Sequence, residues 1–348
     1  MAGPSRRGFL AGLSVLAVAP ALVACGDEPT ASPGAPGGAS GDQGAFPATV
    51  THRFGSTTVT EAPRRVVCVG LVEQDALLAL GIVPVATTKW FGEAPGGIFS
   101  WAADELGDAA PPTVLDATNG IPVEKVAALA PDLILGLYSG MTEAEYGLLS
   151  KIAPTVAQPD GYVDYGTPWD ESTLLIGAAV GRAEAARSVV DAVNARIEQE
   201  AADHPEFAGR SAVVVTSWEG LFVYGPEDPR GRMLAQLGFT FPEALLDEDS
   251  KEFGWSLSAE NTGDLDGLDT VVWLDLAAAD EGITGLWEKT STRREGRYLD
   301  LSDADGDYYV AHSMVTPLSI PYVLDRYVPQ LAAAVDGDPA TEPPASAA

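Results

Sequence analysis

The chain has 348 residues, 50 acidic and 20 basic, for a formal charge of −30. Hydrophobic residues make up 46% and include 7 Trp; that excludes wholesale disorder, since a disordered chain this acidic is poor in Val, Leu and Trp. The sparse Lys and Arg argue against nucleic acid as a partner, because phosphate binding needs clustered basic residues. Two cysteines, Cys25 and Cys68, make neither a disulfide framework nor a cysteine zinc site, and His52, His204 and His312 are too few for a histidine metal cage.

Ser5-Arg6-Arg7-Gly8-Phe9-Leu10 is a twin-arginine motif that opens an apolar run ending at Ala24. The run is about 15 residues, short for roughly 30 Å of hydrocarbon and suited to a signal peptide over residues 1–24. It closes on Leu22-Val23-Ala24-Cys25, which resembles a bacterial lipobox in which Cys25 takes the lipid. Residues 25–49 are rich in Gly, Pro, Ser and Ala without periodicity and read as a lipidated cysteine followed by a flexible tether. A similar tail is expected over 336–348.

Between these ends lies a body with the pattern of two α/β lobes. Arg64-Arg65 lead into Val66-Val67-Cys68-Val69-Gly70, an apolar run of the kind found in buried parallel strands. Residues 73–81 read as a helix stopped by Gly81, and 82–86 as the next strand. Residues 212–216 form another apolar strand, and 231–238 another helix with a Leu-Gly stop. Residues 123–137 and 259–275 share the plan helix, Asp, strand, a weak internal repeat that argues for two similar lobes. Residues 183–204 carry no Gly or Pro and place Val189, Val190, Val193 and Ile197 on one helical face. Such a helix is roughly 30 Å long, about one domain diameter, and reads as a rigid strut between an N-terminal lobe (50–182) and a C-terminal lobe (206–335).

The signal, the lipobox, the Arg64-Arg65-Val66-Val67 opening, the Glu124…Pro131-Asp132-Leu133-Ile134 unit, the Ile176-Gly177…Gly181-Arg182 step and the long helix together resemble the iron–siderophore (also cobalamin and haem) binding lipoproteins of ABC importers. The resemblance covers about residues 50–335. It implies two Rossmann-like lobes joined by one long α-helix, the helical-backbone class III of solute-binding proteins, with a ferric siderophore in the cleft and no intrinsic cofactor. It also implies a monomer on the extracytoplasmic face of the membrane, held by the Cys25 lipid, that meets a permease and its ATPase. In such proteins a surface glutamate on each lobe meets arginines of the permease, and Glu124 and Glu260 occupy the matching places here. Cobalamin or haem is an alternative ligand, and a secreted α/β hydrolase is the alternative from another class.

Chemistry-bearing motifs are otherwise scarce: the sequence holds no G-x-x-x-x-G-K-S/T, G-x-S-x-G, H-E-x-x-H or C-x-x-C. Asp303-Ala304-Asp305-Gly306-Asp307 lacks the glycine at loop position 6 and the terminal Glu of an EF-hand and reads as a polar turn between two strands. No catalytic or metal-binding residues are therefore expected. Ligands of open α/β sheets sit at strand carboxyl ends, and the loops there nominate Lys89, Trp90, Tyr138, Trp218, Tyr224, Arg230, Arg232, Trp255 and His312 as the ligand-binding set. Trp90 and Trp218 stand just after strands, where an aromatic face suits a bulky chelate better than a core. Trp273 and Cys68, inside apolar strands, read as core. With few cations among many aromatics, the set favours a ferric ligand of low net charge, such as a hydroxamate or mixed-type siderophore.

Overall fold

The computed structural model describes residues 46–247, 250, 252–302 and 306–341. The signal segment, Cys25, most of the tether, the end of the tail and Asp303 to Asp305 lie outside the described residues.

A hairpin of β1 (Ala48–His52) and β2 (Gly55–Val59) precedes a five-stranded sheet. That sheet is entirely parallel and contains β3 (Val66–Cys68), β4 (Ala86–Thr88), β5 (Thr113–Leu115), β6 (Leu133–Gly136) and β7 (Thr155–Ala157) in the order β5-β4-β3-β6-β7. Helices α1 (Glu73–Ala79), α2 (Ala103–Leu106), α3 (Val123–Ala128) and α4 (Glu143–Leu149) fill the crossovers, and α5 (Trp169–Ala179) follows the last strand. The strands read as unbroken apolar runs because both faces are covered. Val66 and Cys68 look into one core with Leu77 and Ile176, while Val67 and Val69 look into another with Val126 and Leu149. The second strand begins at Ala86 rather than Ile82, because Pro84 has no N–H to donate and biases Val83 away from regular pairing.

Helix α6 (Ala183–Asp203) then crosses to a second sheet. Ala186 near its start is buried in the first sheet's core, while Val190, Val193 and Ile197 are buried in the core of the second. One stripe of a single helix thus holds two cores at a set spacing. The second sheet contains β8 (Ala212–Ser217), β9 (Leu221–Tyr224), β10 (Gly254–Leu257), β11 (Thr270–Trp273) and β12 (Tyr298–Asp300) in the order β10-β9-β8-β11-β12. Here β8, β11 and β12 are parallel, and β9 runs antiparallel to both β8 and β10. Around them lie α7 (Pro229–Gln236), α8 (Glu281–Trp287), α9 (Ser291–Arg294), α10 (Asp307–Met314) and α11 (Ser319–Val335). Trp273 and Cys68 are fully buried strand residues. Asp307 opens α10, so the acidic segment leads from a strand into a helix rather than between two strands.

The repeated aspartate has a structural cause. Asp132 accepts the backbone N–H groups of Arg64 and Arg65, each at 2.8 Å, and so pins the start of β3 beside β6. Asp269 does the same for β8 beside β11, accepting from the Ser211 N–H at 2.9 Å and from the Arg210 guanidinium. The 259–265 segment is a 3-10 helix rather than an α-helix.

Helix α5 meets α6 closely at Gly177, where an added Cβ would stand 2.3 Å from that of Ala186. Gly177→Val should therefore force the strut off the first lobe, costing about 1–3 kcal/mol and lowering the thermal midpoint by several degrees. Calorimetry checks it, and an unchanged midpoint would remove the close approach as a constraint.

Candidate functional site

In the first sheet the chain order reverses between β3 and β6, which opens a crevice at their carboxyl ends. The Leu71 N–H donates to the Tyr138 carbonyl at 3.1 Å, and the Tyr138 N–H donates to the buried Glu73 carboxylate at 2.8 Å, knitting the two loops together. Burial raises the Glu73 carboxyl above its ordinary range despite these backbone donors. In the second sheet the same position, the carboxyl end of β8, is occupied by Thr216 and Ser217, the last residues of the strand, and by Trp218 just after it.

The two crevices face each other across a cavity of about 480 Å³ lined by Leu71, Trp90, Phe91, Tyr138, Tyr165, Thr216, Ser217, Trp218, Tyr224, Arg230, Phe253 and Tyr309, a size suited to a small organic ligand. Its wall is a chain of touching rings. Trp90 stacks on Phe91 with centroids 4.6 Å apart, and Phe91 meets Tyr309 from the other lobe edge-on at 5.3 Å. Tyr138 meets Tyr165 at 5.3 Å, and Tyr165 meets Phe253 across the cleft at 6.0 Å. Trp218 stands at the lip, 57% exposed.

One guanidinium lies on the floor. Arg230 is buried and donates from Nε and Nη2 to the two carboxylate oxygens of Asp228 at 2.7 and 2.8 Å. Its Cζ lies 3.8 Å from the centroid of the Tyr224 ring. Asp228 also caps α7, accepting the Arg230 N–H at 2.8 Å. Burial alone would push the arginine down, but Asp228 holds it well above its ordinary value. Burial drives the Tyr224 phenol up to about 12 and the Tyr138 phenol higher still, so both remain neutral donors at any working pH.

Five of the residues nominated from the sequence meet here: Trp90, Tyr138, Trp218, Tyr224 and Arg230. Four do not line the cavity. Lys89 is exposed beside it and pairs with Glu93. Arg232 reaches across the rim to the Gly166 carbonyl and pairs with Glu227 at 2.5 Å, so it clips the lobes together. Trp255 pairs with Val223, on the face of β9 that looks into the core, and its ring packs over Gly225 and Phe241. His312 lies inside the lobe against Tyr327, with ring centroids 4.8 Å apart, because α10 turns that face onto α11. Burial, then the nearby Arg230 charge, lower its imidazole to about 3, so it stays neutral. Seven lining residues were outside the nominated set: Leu71, Phe91, Tyr165, Thr216, Ser217, Phe253 and Tyr309. Tyr309, three positions before His312 on the same helix, was the nearest signal. Among the described residues no group of three or more His, Cys, Asp or Glu could hold a metal ion. Among the same residues no helix is long and apolar enough to cross a membrane.

Comparison with known proteins decides the family. A model described as periplasmic binding protein matches residues 66–279. The chain belongs to that family. Among its relatives is the probable siderophore-binding lipoprotein YfiY of Bacillus subtilis, 30% identical over 226 residues, which are 63% of this chain and 66% of that protein. The matches span about two thirds or less of the curated relatives' own lengths. A solved periplasmic solute binding protein from Mycobacterium smegmatis is 35% identical, with a TM-score of 0.70 over 83% of this chain and 98% of that one. PiaA of Streptococcus pneumoniae, solved in complex with ferrichrome, is 27% identical with a TM-score of 0.70 over 84% of this chain and 99% of that one. The bilobal α/β architecture with one connecting helix is thus the helical-backbone class of periplasmic binding proteins.

Beneath the cavity the lobes of this periplasmic binding protein are joined by a buried contact. Asp75 on α1 accepts from the Thr316 hydroxyl of the other lobe at 2.5 Å and from the Trp101 Nε1–H at 2.9 Å. Burial pushes its carboxyl from an ordinary 3.8 up to about 6, against the pull of those donors. The folded protein therefore holds this proton more tightly than the unfolded chain, so the group favours folding below about pH 4 and loses that advantage as pH rises through 6. Relative to Asp75→Asn, the wild type should lose roughly 2–3 kcal/mol between pH 4 and pH 7. Urea midpoints of both proteins across that window measure it, and parallel profiles would contradict the assignment.

Proposed function

We propose that this protein is the extracytoplasmic receptor of an ABC importer, binding a ferric siderophore between its lobes and delivering it to a permease and its ATPase. The observation that carries this reading is the aromatic cavity at the facing strand ends, with its one lining guanidinium neutralised by Asp228. A bulky chelate gains burial and ring contact there, while phenols and the Thr216 and Ser217 hydroxyls supply hydrogen bonds. The names of YfiY and of PiaA with ferrichrome support the same ligand class. No enzymatic role is assigned, and the twin-arginine signal with Cys25 would place the receptor on the outer face of the membrane as a lipid-anchored monomer.

Ligand charge follows from the same geometry. Lys89 and Arg232 are paired outside the cavity, Arg230 is paired within it, and Arg293 binds Glu288 beside Tyr298. A highly anionic tris-catecholate would meet no unpaired cation among the lining residues, whereas a hydroxamate or mixed-type ferric complex needs none. Titrating tryptophan fluorescence with ferric hydroxamate, ferric catecholate, cobalamin and haem should show saturable quenching by the hydroxamate, changing little with salt. Tight, salt-steep catecholate binding without hydroxamate binding would reverse the charge reading. Saturable ester hydrolysis with no chelate bound would overturn the receptor role.

Docking is assigned to Glu124 and Glu260. Both are exposed, and each follows a strand whose carboxyl end points to the cleft side: β5 in one lobe and β10, which runs with β8, in the other. Two carboxylates on one rim can steer and orient a basic partner. The double variant Glu124→Ala, Glu260→Ala should abolish import in cells while leaving ligand affinity unchanged, and normal uptake would refute the docking role.

A further inference from the structure

A second, smaller cavity of about 80 Å³ adjoins the main one behind Leu71, Trp90 and Phe91, which line both. Its other walls include Gln74, Thr88, Lys89, Glu93, Phe99 and Val114. Gln74 is buried on α1, with Nε2 donating to the Leu71 carbonyl at 3.2 Å. That bond sets the orientation of the amide and leaves Oε1 as a buried acceptor with no hydrogen-bond partner. A buried polar atom without a partner is uncommon and unfavourable. The other polar groups do not relieve it: the Thr88 hydroxyl donates to the Cys68 carbonyl and the Lys89 ammonium pairs with Glu93. Because Lys89 and Glu93 cancel, the pocket offers no net charge to compensate a buried ion.

We propose that this side pocket, with Gln74 Oε1 as its acceptor, takes a short pendant arm of the chelate that ends in a neutral N–H donor. The inference rests on the proposed ligand class and deepens it. The iron-bearing body of the ligand occupies the aromatic cavity, and the arm passes the edge of the Trp90–Phe91 stack, a wall of two side chains shared by both spaces. Gln74 then acts as a specificity-determining residue, rewarding an arm with a donor and gaining nothing from a ligand without one.

The test compares two uncharged trihydroxamate complexes: linear ferrioxamine with its terminal amine acetylated, which carries a neutral arm, and cyclic ferrioxamine, which has no free arm. Wild-type protein should bind the acetylated linear complex about tenfold more tightly. Gln74→Leu should bring the two affinities together while leaving that for the cyclic complex unchanged. Val114→Trp, at an exposed wall position of the same pocket, should have the same effect without altering a buried residue. Equal affinities in the wild type, or a preference retained in both variants, would overturn the side pocket alone. Failure of either complex to bind the wild type would overturn the hydroxamate reading beneath it.

Discussion

Asp228 and Arg230 meet through two hydrogen bonds in a place where both are buried, and the character of the cleft follows from that contact. A guanidinium withdrawn from water is tolerable only with a partner of opposite charge in good geometry. Here the partner is also the cap of α7, so the local fold and the pairing are one arrangement. Arg230 lies over the Tyr224 ring, and its charge adds to burial in keeping the His312 imidazole neutral. The floor of the cleft is consequently polar in detail and nearly neutral in sum. A body with so large an excess of carboxylates thereby has a cleft whose surface is dominated by rings and hydroxyls.

The lobes are held by more than their connecting helix. Residues of α6 are buried in both cores, Asp75 and Thr316 bond across the base, and Arg232 reaches Gly166 at the rim. Phe99 and Trp101 stack at 4.7 Å, and Trp101 meets Tyr322 of the second lobe at 5.8 Å. A helix behind and contacts at base and rim thus hold the two walls of the cavity against each other.

Long-range features decided which aromatics face the cavity. Trp90 and Trp218 were legible because each closely follows a strand in a loop. Trp255 was misleading for the same reason that it was conspicuous: it lies within β10, whose pairing with β9 turns the ring inward. Phe253, two residues earlier and outside the strand, is the one that reaches the cavity. On α10 the helical period exchanged His312 for Tyr309, since one face of that helix is taken by α11 and another by the cleft. Tyr165, with φ at +61° in a loop after β7, leaves no pattern in the sequence at all.

What the sequence by itself determined is whatever depends on neighbours along the chain. Apolar runs specified β3, β6, β8 and β11, unbroken helical periodicity specified α6, and the aspartate before a strand marked both halves of the repeat because it binds the start of the adjacent strand. The order of these pieces was enough to predict two lobes and a strut. Tertiary structure alone decided the meeting of side chains far apart in sequence: Phe91 with Tyr309, Tyr165 with Phe253, and Asp75 with Thr316. It also decided that Arg230 is paired and that Gln74 keeps an unmet acceptor. The physical reason is that burial and partner geometry are set by packing between lobes, which no local periodicity encodes, whereas the tendency to form a strand or a helix is carried by the segment itself.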